Sequence, residues 1–534
     1  MTNSIADITD AKAILAIGTN TTEQHPVLSL QIKKAVRQFG TKLIVADPRR
    51  IELADFATLH LQLEAGTNLA LLNGLAYIIL AENLQDQTFI EARTENVEVW
   101  KAVVNEYPPE RVSQLTGVPI DDLVLAARIY AENKPASIFY AMGITQHTVG
   151  HQNVLAIANL AMLTGNMGIP GGGVNPLRGQ NNVQGACDMG GLPNVYPGYQ
   201  RVNDDTVRQK FANFHTVKQP PAQVGLTLGE MLQAAHDGDV RAMYLMGENP
   251  AMSDPDTNHV RECLEALEFM VVQDIFLNET SEFADVVLPA AAFAEKDGTF
   301  TNTERRVQLI RPAFDPPGQA RPDWQILRDI AQHLDGTDWD YTHPSEIMDE
   351  IAQLTPIYGG ISYDRLSHNG LQWPCPNPNH DGTPILHKES FSRGRGYFSP
   401  VHHQQSIELP DKDYPLMLTT GRILQHWHTG TMTRRVDGLN ALAPEELVEM
   451  HPQDAEQLGI QDGDCIRISS RRGAVKARVQ VIDRPQKGLI FMTFHFAEAL
   501  SNVLTINAVD PIAKIPEFKV CAVKVEKIDM PNDK

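Results

Sequence analysis

Residues 173–190 read GVNPLRGQNNVQGACDMG, and in this run one guanidinium, Arg178, stands among Gln180, Asn181, Asn182 and Gln184, with four glycines and little aliphatic bulk. A permanently charged planar fork matches a carboxylate through two parallel hydrogen bonds, which an ammonium does less well. The neighbouring carboxamides donate and accept without adding charge, so they can orient a polar ligand without competing for a small anion. The chemistry on offer is the capture of a small carboxylate, and the bland alternative for Arg178 is an ion pair with an acidic neighbour. Cys187 lies in the same run but has no base near it in sequence, so it reads as a small side chain packed in a turn.

Five other loops share this polar character: GTNTTEQHP at 18–26, ADPRR at 46–50, GENP at 247–250, FTNTERR at 300–306 and TTGRILQHWHTGTMTRR at 419–435. Taken singly, each reads as an ordinary capped loop. Together they suggest a very large polar ligand laid along a seam between domains, hydrogen-bonded to Asp and Asn and with Arg near phosphates. A nicotinamide-dependent dehydrogenase would share an α/β frame, but no GxGxxG follows a strand, and the glycine-rich GIPGGGVNP at 168–176 follows a helix and lacks the spacing. No Walker lysine, nucleophile elbow or HExxH is present.

The elements that must position these loops are short apolar runs ending in Gly, Asp or Asn: AILAIGTN, KLIVADPRR, SIFYAMGIT, AMYLMGENP, FMVVQDIF and ADVVLP. Continuous runs of this kind are expected of strands buried on both faces, with helices between them. LALLNGLAYIILA at 69–81 is one buried helix, and NVLAIANLAMLTGN is another with Gly165 as its C-terminal cap. The pattern predicts two doubly wound α/β layers, in which ligands sit at the carboxyl ends of the strands. Proline-rich connectors lie near Pro220 and Pro316, and the polar stretch 377–410 reads as a linker. Beyond it the period changes, and CIRISSRRGAVKARVQVI reads as a hairpin turning near Arg472 and Gly473, followed by the β run GLIFMTFHF. The expected division is 1–178 and 179–395 for the two layers and 405–534 for a C-terminal β-barrel.

Composition sets the outer limits. With 534 residues, 42% of them hydrophobic, the chain can bury the cores of roughly three domains. The formal charge of −21, with no Lys/Arg block, argues against nucleic acid as a partner. No apolar run is long enough for a membrane segment. The five cysteines are dispersed, without a CxxC pair, which argues against a disulfide framework and a zinc or iron–sulfur site, and points to a reducing, cytoplasmic setting.

The run NPLRGQNNVQGACDMGGLPNVYPGYQ, with ENP, VVQDIF, ADVVLP and DPIAKIPEFKVCAVKVE further on, resembles the catalytic alpha subunit of molybdenum- or tungsten-dependent formate dehydrogenases. These belong to the bis-molybdopterin guanine dinucleotide oxidoreductases, and the likeness covers essentially the whole chain. It implies two pterin dinucleotides, one in each α/β layer, with the C-terminal barrel closing over both. It places Arg178 and Gln180 beside the metal, the arginine holding the formate carboxylate. It sets Asp47 against a guanosine, and Gly18, Asn20, Asn181, Asn182, Gly247, Asn249, Asp274, Gly421, Arg422, Thr431, Asn502 and Lys519 along the pterins. It gives the 419–435 loop to pterin contacts, so the His426 and His428 pair is not expected to hold a metal.

The resemblance also exposes a departure. In that family a cysteine or selenocysteine followed by histidine binds the metal, and four cysteines further upstream hold an iron–sulfur cluster. This chain contains none of them, so no metal ligand is assigned here. One expectation is that a selenocysteine UGA codon, read as a stop, has left an N-terminally truncated fragment starting at the next methionine. A frameshift in a cysteine-type gene would give the same result, and a split enzyme or a non-catalytic pterin-binding subunit are the alternatives. Within the family, a nitrate or other oxo-substrate is the runner-up to formate. The implied reaction is formate oxidation to carbon dioxide, with two electrons passed to an iron–sulfur partner.

Overall fold

The computed structural model describes residues 1–215, 218–334, 336 and 339–528. Thr216 and Val217 of the proline-rich connector before Pro220, and 529–534 at the end of the expected barrel, lie outside the described residues.

Each of the six apolar runs forms a strand. Five parallel strands, β1 (Ala13–Ile17), β2 (Lys42–Ala46), β3 (Leu59–Leu61), β4 (Ala136–Tyr140) and β5 (Val174–Pro176), build one sheet in the order β3-β2-β1-β4-β5. Its strands are buried on both faces. Leu15 and Ile17 of β1 enter one core with the helices α2 (Asn68–Ala81), α3 (Ile120–Glu132) and α4 (Gly150–Leu163). Ile14 and Ala16 enter another with Leu28, Ile32 and Ala35 of α1 (Pro26–Phe39). Successive side chains of a strand point to opposite faces, so a run apolar at every position is what a sheet between two helical layers needs. Helix α1 starts at a proline and ends at Gly40, held at φ +71°. Gly165 follows α4 at φ +66°.

A second parallel sheet, β6 (Ala242–Met246), β7 (Phe269–Asp274) and β8 (Val286–Pro289), is ordered β8-β7-β6. Here the expectation of burial on both faces fails. Met243 and Leu245 are buried while Tyr244 and Met246 are exposed, and Phe269 at the start of β7 is exposed as well. Strand β6 is covered on one face only, whereas Val272 and Gln273, successive residues of β7, are both buried. Next come two antiparallel strands, β9 (Gly298–Thr301) and β10 (Arg306–Ile310), above a core of Val307, Met348, Tyr358, Ile361 and Leu366.

The change of period near the C-terminus marks a closed barrel. Strands β11 (Leu416–Gly421), β12 (Leu447–Met450), β13 (Cys465–Ser469), β14 (Ala474–Val481), β15 (Leu489–Thr493) and β16 (Cys521–Lys527) follow the order β11-β15-β12-β14-β13-β16. Ile466 and Ile468 of the predicted hairpin point inward with Leu418, Val448 and Ile490. The chain divides into two compact units. One holds residues 1–177, 250–260 and 385–534, so the first sheet and the barrel share a body; the other holds 178–249 and 261–384. The stretch expected to be a linker is in part fixed structure: Phe398 is fully buried and stacks on Trp100 at 4.5 Å, and Asn96 Nδ2 donates to the Phe398 carbonyl. Among the described residues no helix is long and apolar enough to cross a membrane.

Candidate active site

Strand β1 has β2 on one side and β4 on the other, so the chain leaves it in opposite directions and a crevice opens at its carboxyl end. Gly18 stands there at φ +57°, and its carbonyl accepts from the Gly143 amide at 3.0 Å. A Cβ on Gly18 would lie 2.7 Å from the Gly143 carbonyl carbon, so the two backbones meet where no side chain fits. The Gly143 loop is braced by Asn68 Nδ2 and the His147 ring, both bonded to the Gly143 carbonyl.

A cleft partly open to solvent lies against this approach. Gly18, Asn20 and Asp47 line it from the first sheet, and Thr419, Thr420, Gly421 and Lys519 from the barrel. Five of the residues singled out in the sequence therefore meet in one place. Burial pushes the Asp47 carboxyl up, against the Arg49 amide donating at 3.0 Å and the Arg49 and Lys519 cations. Desolvation and the Arg422 cation pull Lys519 down to about 7, with Asp47 working the other way. Its ammonium donates to the Thr420 carbonyl at 2.6 Å. Two buried atoms just after β1, Thr19 Oγ1 and, on the cleft wall, Asn20 Oδ1, have no hydrogen-bond partner among the described residues. A buried polar atom left in that condition costs free energy unless a ligand or water answers it.

Other residues from the sequence reading are used differently. Arg422 lies with its guanidinium 5.4 Å from the Phe494 ring centre, and burial lowers its pKa to about 10. The Thr431 hydroxyl pairs with Thr429 at 3.0 Å. Asn502 donates to the Met252 and Ser253 carbonyls at 2.7 and 3.0 Å, so its amide anchors a short helix. His426 has both ring nitrogens engaged, by Thr433 Oγ1 and the Ala443 carbonyl. Sequence reasoning missed Arg49 as a structural residue. It grips Glu449 through Nε and Nη2 at 3.1 Å each, lies 3.4 Å above the Phe491 ring centre, and is committed there rather than to a phosphate.

In the second unit the amide of Arg178 donates to Thr303 Oγ1 at 3.2 Å, and its Nε donates to Gln184 Oε1 at 3.1 Å. Asn182, at φ +64°, accepts from the Thr301 amide at 2.9 Å and opens the helix α5 (Val183–Asp188), which presents Gln184 and Asp188 one turn apart. Gln180 is half-buried and Asn181 exposed. Burial raises the Cys187 thiol, the opposite of what a nucleophile needs. At the ends of β6 and β7, Gly247 takes φ +66° and donates to the Gln273 carbonyl. Asn249 Oδ1 accepts from the Thr280 amide and hydroxyl, and Asp274 accepts from the Ile275 amide and Asn278 Nδ2. Burial raises the Asp274 carboxyl.

Residues 1–333 match the molybdopterin oxidoreductase family, and 416–522 match the molybdopterin dinucleotide binding domain. The chain belongs to the molybdopterin oxidoreductases. The two matched domains are those of an enzyme whose cofactor is a bis-molybdopterin guanine dinucleotide carrying molybdenum or tungsten. Over 99% of its length the oxidoreductase is 51% identical to the F420-dependent formate dehydrogenase subunit alpha of Methanocaldococcus jannaschii, spanning 78% of that protein. It is 49% identical to the F420-dependent formate dehydrogenase 2 subunit alpha of Methanococcus maripaludis, again over 99% of this chain and 78% of the relative. Formate dehydrogenase H of Escherichia coli is 41% identical, over 99% of this chain and 74% of its own. Among solved structures, acetylene hydratase from Pelobacter acetylenicus superposes with a TM-score of 0.77 at 20% identity, covering 98% of this chain and 79% of that one, a likeness of fold.

Proposed function

We propose that this molybdopterin oxidoreductase oxidises formate to carbon dioxide, releasing a proton and two electrons that pass to an iron–sulfur partner. The observation that carries the reading is Arg178, in the only run of the sequence that surrounds one guanidinium with five carboxamides, in a chain about half identical to alpha subunits named formate dehydrogenases. Arg178 offers formate a bidentate, charge-assisted pair, and Gln180 a neutral donor that fixes the anion without adding charge. The bound metal–pterin group supplies the two-electron acceptor. The absence of a nicotinamide fingerprint agrees with that assignment. A cytoplasmic setting accords with five dispersed cysteines that form no CxxC pair.

The cleft at the end of β1 suits one dinucleotide. Asp47 can accept from the two adjacent N–H donors of a guanine edge, and Lys519 can face a phosphate. Asn20 Oδ1 and Thr19 Oγ1, unanswered in the protein alone, can accept from the ligand. Gly18 and Gly421 keep side-chain bulk out of its wall. In the second unit we assign Asn181, Asn182, Gly247, Asn249 and Asp274 to the other dinucleotide.

The test is formate-dependent reduction of a viologen dye by the purified, metal-loaded protein. Arg178→Lys, which keeps the charge but loses the fork, is expected to raise the KM for formate by about tenfold to a hundredfold, the worth of one hydrogen bond to a charged group. Dye-coupled turnover of nitrate with no turnover of formate would overturn the assignment.

A further inference from the structure

The side chain of Gln184 stands between a base and an acid. Its Oε1 accepts from Arg178 Nε at 3.1 Å, and its Nε2 donates to Asp188 Oδ1 at 2.8 Å and to the Tyr199 hydroxyl at 3.0 Å. A carboxamide has one accepting and one donating end, and the partners decide which way it points. Turned the other way, Gln184 would set its NH₂ against the guanidinium and its oxygen against the carboxylate, losing both bonds. An ionised Asp188 can only accept, so it fixes the amide with its oxygen toward Arg178.

Asp188 is itself held firmly. It is fully buried, and besides Gln184 it accepts from the Tyr199 hydroxyl at 2.8 Å, the Tyr358 hydroxyl at 2.7 Å and Trp373 Nε1 at 2.7 Å. The Arg305 guanidinium, 5.5 Å from the Trp373 ring centre, adds positive field to the same region. Burial raises the Asp188 carboxyl, and the four donors oppose that shift. The inserted amide has a consequence for the anion site. The relay through Gln184 engages Nε and so fixes the plane of the guanidinium, in which a carboxylate must lie for a two-bond pair.

We infer that Asp188 is a positioning residue for Arg178, acting through Gln184 to hold the guanidinium in the plane that receives the substrate carboxylate. The inference rests on the reading of Arg178 as the formate anchor. The experiment compares Asp188→Asn, Gln184→Leu and the double variant with Arg178→Lys in metal-loaded protein, reading KM and kcat for formate and the shift in melting midpoint that saturating formate produces.

Asp188→Asn presents a flippable amide, and Gln184→Leu removes the relay while leaving the carboxylate its other three donors. Each is expected to raise KM about tenfold, with kcat changed less than threefold and the formate-induced melting shift reduced. The double variant should be no worse than the poorer single one, because both remove the same link. If Arg178→Lys raises KM while Gln184→Leu leaves it unchanged, the positioning role falls and the anchor stands, whether or not Asp188→Asn folds. If Arg178→Lys leaves KM unchanged, the anchor reading falls first. Additive effects in the double variant would also overturn the relay.

Discussion

Gly18→Ala tests whether the close backbone approach at the end of β1 builds the cleft. Two glycines of the same unit separate the contributions, since both hold positive φ: Gly18 at +57° and Gly40 at +71°. Around a Cβ on Gly40 nothing lies within 4 Å, so Gly40→Ala incurs only the left-handed penalty of about 1–2 kcal/mol. A Cβ on Gly18 meets the Gly143 carbonyl carbon at 2.7 Å and the Ile144 amide nitrogen at 2.9 Å. These are backbone atoms and cannot rotate away, so the loops after β1 and β4 must part, adding roughly 1–3 kcal/mol of overpacking. Gly18→Ala should therefore cost about twice as much as Gly40→Ala, read as the drop in melting midpoint. Parting the loops also moves Asn20 off the cleft wall. Molybdenum or tungsten content and released pterin should fall in Gly18→Ala and stay at the parental level in Gly40→Ala. Equal melting midpoints with equal cofactor content would refute the argument.

Two other expectations concern titration. Glu446 is buried at the end of β12's lead-in, accepting from the Thr493 amide at 2.7 Å and from its hydroxyl, and burial pushes its carboxyl from the usual 4.5 up to about 7. A raised folded-state pKa means that its stabilising contribution is complete below about 4.5 and lost as pH rises through about 7. Glu446→Gln should thus be more stable than the parent at pH 8 by about 3 kcal/mol, an advantage that shrinks as pH falls toward 5, followed by melting at each pH. Lys519 shifts the other way, from 10.5 to about 7, so the cofactor-free protein gains stability from this group as pH rises from about 7 to 10.5. A phosphate beside it restores the proton. GDP binding to cofactor-free protein at pH 8 should therefore take up close to one proton, measured by titration calorimetry in buffers of different ionisation enthalpy, and Lys519→Met should abolish the uptake.

Local pattern carried much of this far. Buried strands announce themselves by unbroken apolar runs, and the switch to alternation in CIRISSRRGAVKARVQVI marks the barrel because only one face of each of its strands enters the core. The same rule misled at β6, where AMYLM is apolar throughout yet buried only at alternate positions. Hydropathy reports what a strand tolerates on a face, not whether anything covers it. The family resemblance singles out Asp47, Asn20 and Lys519, because the motifs that carry it are local. Partners far off in sequence leave no local mark. Arg49 in ADPRR looks suited to phosphate until Glu449 of the barrel is seen in its grip, and nothing around Asn502 tells of Met252. Asp188 was nearer to legible, since Gln184 and Asp188 lie four apart on what proved to be a helix, a spacing that brings side chains together.

The walls of the cleft are written far apart in the chain. Gly18, Asn20 and Asp47 leave the ribosome well before Thr420, Gly421 and Lys519. At roughly 5–20 residues per second, the interval between Asp47 and Lys519 is on the order of half a minute to a minute and a half. During that time only half of the cleft exists. A ligand held from both sides is therefore gripped only once the barrel has joined the first sheet.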